Sequence, residues 1–327
     1  MLSAPGFRSV EIKTRGRRKR QCAEALIKAH QRCHALPGLI EPNLCPLRIV
    51  CISDTHNKQP LVPDGHVLIH AGDLTENGSF GEVQTQLRWL ASLPHRYKVF
   101  VAGNHDVLLD DAFISKYPQR RYGESKTKHD LDWGDVIYLQ DEAITLEFPY
   151  ENRRPTSNSP SLGTRHLTIF GSPWTPKYGI SAFQYHPANL DHWETIFNSL
   201  DRKPDVIVTH GPPQHHLDQR DFHRAGCPYL AQEIRRIRPR LSVFGHIHVG
   251  YGREEWLLDN AQEIHDEILT GWTGWGGVLR LLVAVAWARI TYFLCPPQKA
   301  DFTTLVNAAL VAGPDNELKN APIVVEL

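Results

Sequence analysis

The chain has no charge excess of either sign: 36 Lys and Arg are balanced by 36 Asp and Glu across 327 residues. Global charge therefore gives no reason to expect a nucleic-acid polymer as partner. Its six cysteines (Cys22, Cys33, Cys45, Cys51, Cys227, Cys295) form no CxxC pair and follow no regular spacing. That argues against a disulfide framework or a thiolate metal site and fits free, mostly structural thiols in a reducing compartment. No secretory signal stands at the start and no internal repeat is present, so a cytoplasmic location is the expectation. A charge-free membrane span is also missing. The most apolar stretch, residues 278–295, contains Arg280 and Arg289, which argues against crossing a bilayer and leaves a core-covering helix or a surface helix against a membrane or partner.

What is present is a soluble globular composition, 41% hydrophobic and 22% charged, long enough for one large domain or two ordinary ones. Residues 1–46 read as a basic, partly disordered N-terminal extension, with the run "KTRGRRKRQ" at 13–21 and a helix over 22–34. From residue 47 the texture changes to short apolar runs ending in polar residues or Gly: "LRIVCIS", "HVLIHAG", "YKVFVAG", "RHLTIFG", "PDVIVTHG" and "LSVFGH". Helical spacing lies between several of them, at 81–93, 189–200 and 229–237. Buried strands alternating with helices predict an α/β layered fold. Residues 47–327 are expected to form one domain, with an insertion at about 252–302 and final strands at 303–309 and 322–327. The Pro-, Ser- and Asn-rich stretch 149–163 is expected to be poorly ordered.

In such folds ligands gather at the carboxyl ends of the strands, and ligand-type residues recur there. "SDTH" supplies Asp54 and His56, "GDLTE" Asp73 and Glu76, "GNHD" Asn104, His105 and Asp106, "HGPP" His210, and "GHIH" His246 and His248. One Asp or Asn after a strand is usually a cap or turn former, but five such motifs in order are hard to attribute to capping. Carboxylate, imidazole and amide oxygen suit Mn²⁺, Fe or Zn²⁺. The set is too large for one tetrahedral ion and about right for two ions sharing a carboxylate.

The ordered motifs DxH, GDxxE, GNHD, HGPP and GHIH resemble the calcineurin-like metallophosphoesterase superfamily. "GSPWTP" at 171–176, "RRIRPRLSVFGHIHVGYG" at 235–252 and "VNAA" at 306–309 are similar to its smaller MPPED-type branch, and the long insertion looks like filamentous-fungal members. The resemblance covers about 47–327 apart from most of the insertion, and implies a four-layer α-β-β-α sandwich with a dinuclear centre. Carried over by motif, Asp54, His56 and His248 hold one divalent metal; Asn104, His210 and His246 hold the other; Asp73 bridges them. Mn²⁺ is the favoured ion, with Fe and Zn²⁺ as alternatives. The resemblance further implies a phosphodiesterase acting on small or cyclic-nucleotide-like phosphate esters, in which a metal-bridging hydroxide would attack and His105 would be the general acid, oriented by Glu76 where many members have Asp. A nucleotide-binding or scaffolding protein with weak catalysis, or a relative recruited to fungal specialised metabolism, stays open as the alternative. Oligomeric state is open too. Outside the metal motifs, His70 is expected to be a core or supporting group and Trp174 a packing anchor.

Overall fold

The computed structural model describes residues 7–33, 46–152, 161–220, 223–271, 273–294 and 302–327. The strands of its two principal sheets are β1 (Arg48–Ile52), β2 (Val67–His70), β3 (Tyr97–Phe100), β4 (Val136–Tyr138), β5 (Glu142–Asn152), β6 (Ser161–Ser172), β7 (Val206–Thr209), β8 (Leu241–Phe244), β9 (Gly252–Leu257), β10 (Phe302–Asn307) and β11 (Ile323–Glu326). The helices are α1 (Phe7–Cys33), α2 (Phe80–Ser92), α3 (Asp111–Lys116), α4 (His192–Asn198), α5 (Pro228–Ile237), α6 (Asn260–Thr270) and α7 (Trp275–Leu294). The chain divides into two compact units, residues 39–255 with 303–327, and residues 1–38 with 256–302.

The larger unit is α/β. One sheet has the order β11-β1-β2-β3-β4, the other β9-β10-β8-β7-β6-β5. Parallel pairing joins β1, β2, β3 and β4 in the first, and β6, β7, β8 and β10 in the second. Alternation of side chains along a strand explains why the apolar runs are unbroken. Ile49, Cys51, Val67, Ile69 and Val99 share one core cluster with Leu167, Ile169, Val206, Val208 and Val243 of the facing sheet. Their neighbours Val50, Ile52, Leu68 and Phe100 point the other way and pack with Val83, Leu87 and Leu90 of α2. Strands buried on both sides have no polar face to show. α2 starts at a capping box, with Ser79 and Glu82 satisfying each other's backbone N–H. On the second sheet, Phe170 meets Phe197 of α4 at 4.8 Å between ring centroids.

Two expectations change here. Much of 149–163 is ordered: β5 and β6 form a long antiparallel hairpin in which Pro149 pairs with Thr164 and Tyr150 with Gly163, while 153–160 lie outside the described residues. Composition suggested a loop because the polar residues of a hairpin's solvent side resemble loop residues. The expected insertion also starts late, since Gly252–Leu257 is a strand of the second sheet; its charged residues, Arg253, Glu254 and Glu255, hid it.

The smaller unit is helical. Ala23 and Ile27 of α1 pack with Ala261, Ile264 and Ile268 of α6 and with Leu281 and Val285 of α7. Lys19 Nζ donates to the Thr273 carbonyl at 2.6 Å, and His30 Nε2 meets Asp259 Oδ2 at 2.5 Å. The basic stretch lies within helix α1, and its Lys19 and Arg20 have carbonyl partners in this unit; residues 1–6 and 34–45 lie outside the described residues. Among the described residues no helix is long and apolar enough to cross a membrane.

Ile69 is wholly buried between the sheets. Ile69→Ala is expected to lower unfolding free energy by about 2–5 kcal/mol, measured by urea denaturation.

Candidate metal centre

Each expected site residue lies just beyond a strand. Asp54 and His56 follow β1, Asp73 follows β2, Asn104 and His105 follow β3, His210 follows β7, and His246 and His248 follow β8. All five strands run in parallel ladders, so their carboxyl ends converge. The backbone there is tightly constrained: Asp54, His56, Asp73 and His246 have φ of 51°, 44°, 53° and 65°, in the left-handed region that non-glycine residues rarely enter. Gly245 allows the closest approach, since a Cβ there would collide with the Asp54 carboxylate and Ser53. The amide of His246 instead donates to Asp54 Oδ1 and Oδ2, at 3.1 and 3.0 Å.

The side chains fall into linked groups. Asp54, His56 and His248 offer three ligand atoms within 4.8 Å of one another, and so do Asp73, His210 and His246. Asn104 joins the second group, its Oδ1 3.0 Å from His210 Nε2. Asp73 stands between the groups, with Oδ2 3.3 Å from His210 Nε2 and 3.9 Å from His56 Nε2. His210 Nδ1 donates to the Ala71 carbonyl at 2.9 Å, which turns Nε2 toward two oxygens, Asn104 Oδ1 and Asp73 Oδ2. His56 Nε2 is buried without a hydrogen-bond partner. Acceptors converging on a point, with an orphaned imidazole nitrogen beside them, fit a divalent cation by the chemistry of the donor set.

Electrostatics point the same way. Burial pushes the Asp54 carboxyl up, but the bond and charge of His248 outweigh it and hold the group at about 2. Burial opposes the charged form of His210, yet the charge and bond of Asp73, with Asp54 behind it, raise it to about 9. Burial and the neighbouring His210 hold His246 down at about 3. The cluster thus retains negative carboxylates below the surface and draws positive charge toward them.

His105 stands beside these groups. Its amide donates to Asp73 Oδ1 at 2.8 Å, and its Nδ1 donates to the Glu76 carbonyl at 2.7 Å. The contact that orients the ring therefore comes from the Glu76 backbone rather than its carboxylate. The carboxylate makes its close contacts with other groups, Oε2 lying 3.1 Å from His56 Nδ1 and accepting from Asn316 Nδ2 at 3.1 Å. Burial lowers the His105 imidazole, but Asp73 and the Glu76 carbonyl raise it further, for a net upward shift.

An open cleft of ≈ 580 Å³ lies over these groups, lined by His105, His246 and His248 and also by Tyr178, Val249 and Asn316. Tyr178 sits 5.1 Å from the His246 ring; neither it nor Asn316 carried a signal in the sequence, since both lie in ordinary turn-like stretches. Asp106 did carry one, as the last residue of "GNHD". Wholly buried, it accepts from the amides of Gly103, Thr75 and Leu74 at 2.8, 2.9 and 3.2 Å and from Thr75 Oγ1 at 2.7 Å, tying the loop after β2 to the loop after β3. Asn307, in "VNAA", similarly donates to the carbonyls of Ile247 and Leu217 and fixes the loop carrying His248. His70 is a supporting group, bonded through Nε2 to Thr55 Oγ1 at 2.9 Å. Trp174 packs against Phe183 and donates to Asp141 Oδ2 at 2.8 Å.

Comparison with known proteins identifies the family. Residues 47–250 match the family model "Calcineurin-like phosphoesterase". The "Probable rhamnogalacturonate lyase C" of Emericella nidulans is 39% identical over 86% of this chain and 24% of its own length. The human "Metallophosphoesterase domain-containing protein 1" is 37% identical over 63% of this chain and 61% of its own. A UPF0046 protein of Caenorhabditis elegans is 33% identical over 63% of this chain and 65% of its own. The chain thus spans from about a quarter to under two thirds of these relatives. With the family model covering residues 47–250, most of its length, the chain belongs to the calcineurin-like phosphoesterase family.

Proposed function

We propose that this protein hydrolyses small phosphodiesters at a centre of two divalent cations. The observation that carries the reading is the position of Asp73, whose Oδ2 lies between His210 Nε2 and His56 Nε2, so that one buried carboxylate serves two ligand groups. Asp54, His56 and His248 would hold one cation, Asn104, His210 and His246 the other, and Asp73 both. Carboxylate, imidazole and amide oxygens without a thiolate suit Mn²⁺ first, with Fe or Zn²⁺ as the other ions the set would accept. Such a pair, when bound, supplies Lewis-acid polarisation of the ester and a lowered pKa for water.

The remaining work falls to the chain. His105 holds one proton at Nδ1 on the Glu76 carbonyl, and its upward shift favours a second at Nε2. It is thus suited to protonate the leaving oxygen. The Glu76 carboxylate and Asn316 set the ring of His56 from behind, in the manner of carboxylates that orient ligating histidines. Tyr178 and Val249, both exposed at the cleft, offer contact surface for the organic part of an ester. Cyclic-nucleotide-like diesters are a substrate class of suitable kind.

Mn²⁺ is expected to stimulate hydrolysis of bis-p-nitrophenyl phosphate, and a chelator to stop it; absence of turnover with every divalent ion tried would overturn the reading. Asp73→Ala should lose bound metal, whereas His105→Ala should keep its metal and lose about 10²–10⁴ in kcat. Metal analysis beside kinetics separates the two.

Cation binding should also release protons. His210 Nε2 must be deprotonated to ligate, and its pKa in the metal-free protein is raised to about 9 from an ordinary 6.5. Below that value a proton competes for the nitrogen. Apparent affinity should therefore rise with pH by about tenfold per unit for each proton displaced, and level off above about 9. Titration calorimetry at neutral pH in buffers of different ionisation enthalpy reads the released proton directly.

A further inference from the structure

The smaller unit has a feature that the phosphoesterase chemistry leaves unused. Helix α7 is apolar on nearly every side, yet α1 and α6 cover only the side with Leu281 and Val285. A helix of that kind is ordinarily buried all round. Here, of the fifteen large hydrophobic side chains exposed among the described residues, eight lie on this one helix. They recur at helical spacing: Trp275, Leu279, Val283, Trp287, Ile290 and Leu294 fall within one sector of about 120° at 100° per residue. A continuous apolar stripe of this length is far outside ordinary surface scatter.

Charge indicates what covers it. On the same helical projection Arg280 and Arg289 fall at the two margins of the apolar sector, and both are exposed. α7 contains no acidic residue. α1, packed against it, carries over residues 18–32 five Lys and Arg and one acid, Glu24, for a formal balance of +4. The bond from Lys19 to the Thr273 carbonyl sets this basic helix beside the start of α7, two residues before Trp275. An apolar sector bordered by arginines, tryptophans within it and a basic helix alongside match the interface of an anionic bilayer, where arginines reach up to headgroups and indole rings sit at the boundary. A second copy of the chain fits less well, since it would bring two strongly basic α1 helices toward each other. Among the described residues no helix is long and apolar enough to cross a membrane.

We infer that the three-helix unit docks on anionic membrane surfaces, with the exposed side of α7 lying in the plane of the interface and the basic residues of α1 engaging lipid headgroups. The inference does not rest on the hydrolytic chemistry and would hold for an inactive site.

Flotation of the full chain with lipid vesicles tests it. Binding to phosphatidylcholine vesicles containing roughly 30 mol % phosphatidylserine should exceed binding to phosphatidylcholine alone by about tenfold or more, and should fall as salt is raised. The double variant Val283→Asp with Trp287→Asp should remain with the unbound protein while keeping its melting temperature. Should that variant fail to fold, Arg280→Gln with Arg289→Gln, which leaves the apolar sector intact, should weaken flotation several-fold. No flotation of the unaltered chain, or equal flotation on both lipid mixtures, overturns the proposal. So does a dimer by light scattering that Trp287→Asp dissociates without any vesicle binding, which would assign the face to a second copy.

Discussion

A carboxylate buried between two sets of imidazoles governs the larger unit. Asp73 is 2% exposed, and burial alone would push its carboxyl upward. The charges of His210 and His105 reverse that and hold it well below the usual carboxylate range. Both oxygens are committed, Oδ1 to the His105 amide and Oδ2 toward His210 and His56. A buried anion is tolerated only where its surroundings answer its charge. The neighbouring loops are therefore not free to move independently, because each supplies part of that answer.

The backbone bears the cost. Four of the proposed ligands have positive φ, a conformation that costs of order 1–3 kcal/mol per residue. Such strain persists only where the scaffold overdetermines it. Two sheets with a shared apolar interior, and helices against their other sides, provide that rigidity. Asp106 adds a polar tie between two of the loops, accepting four hydrogen bonds while burial and the charge of Asp73 push its own carboxyl up to about 6. The site is thus specified as much by residues that never face the cleft as by those that do.

Legibility in the sequence follows from this division. The strands could be read because both of their sides are buried, which leaves uninterrupted apolar runs ending at polar residues. The ligand groups could be read because parallel strands deliver their chain ends to one edge, so order along the sequence becomes proximity in space. What could not be read depends on contacts between distant segments. Asn316 reaches Glu76 across 240 residues, Tyr178 arrives over His246 from an undistinguished turn, and only the folded chain reveals that the Glu76 carbonyl rather than its carboxylate meets His105. β5, the start of β6 and β9 were obscured for a simpler reason: strands with a solvent side carry the polar composition of loops.

The two units also obey different rules of residue choice. In the larger one, polar groups below the surface are placed where strand ends converge, and the apolar residues of the central strands are covered on both sides. In the smaller one the apolar groups exceed what three helices can cover: Phe293 is 87% exposed and Trp287 66%. Leaving such surface in water costs about 25 cal/mol per Å², and a chain with 36 acidic and 36 basic residues does not lack polar side chains to substitute. The inserted stretch falls between β9 and β10 and contributes none of the proposed ligands, so its sequence is free of the demands of the metal centre. Its unpaired apolar side is then best explained by a demand of its own, contact with an apolar phase bordered by negative charge.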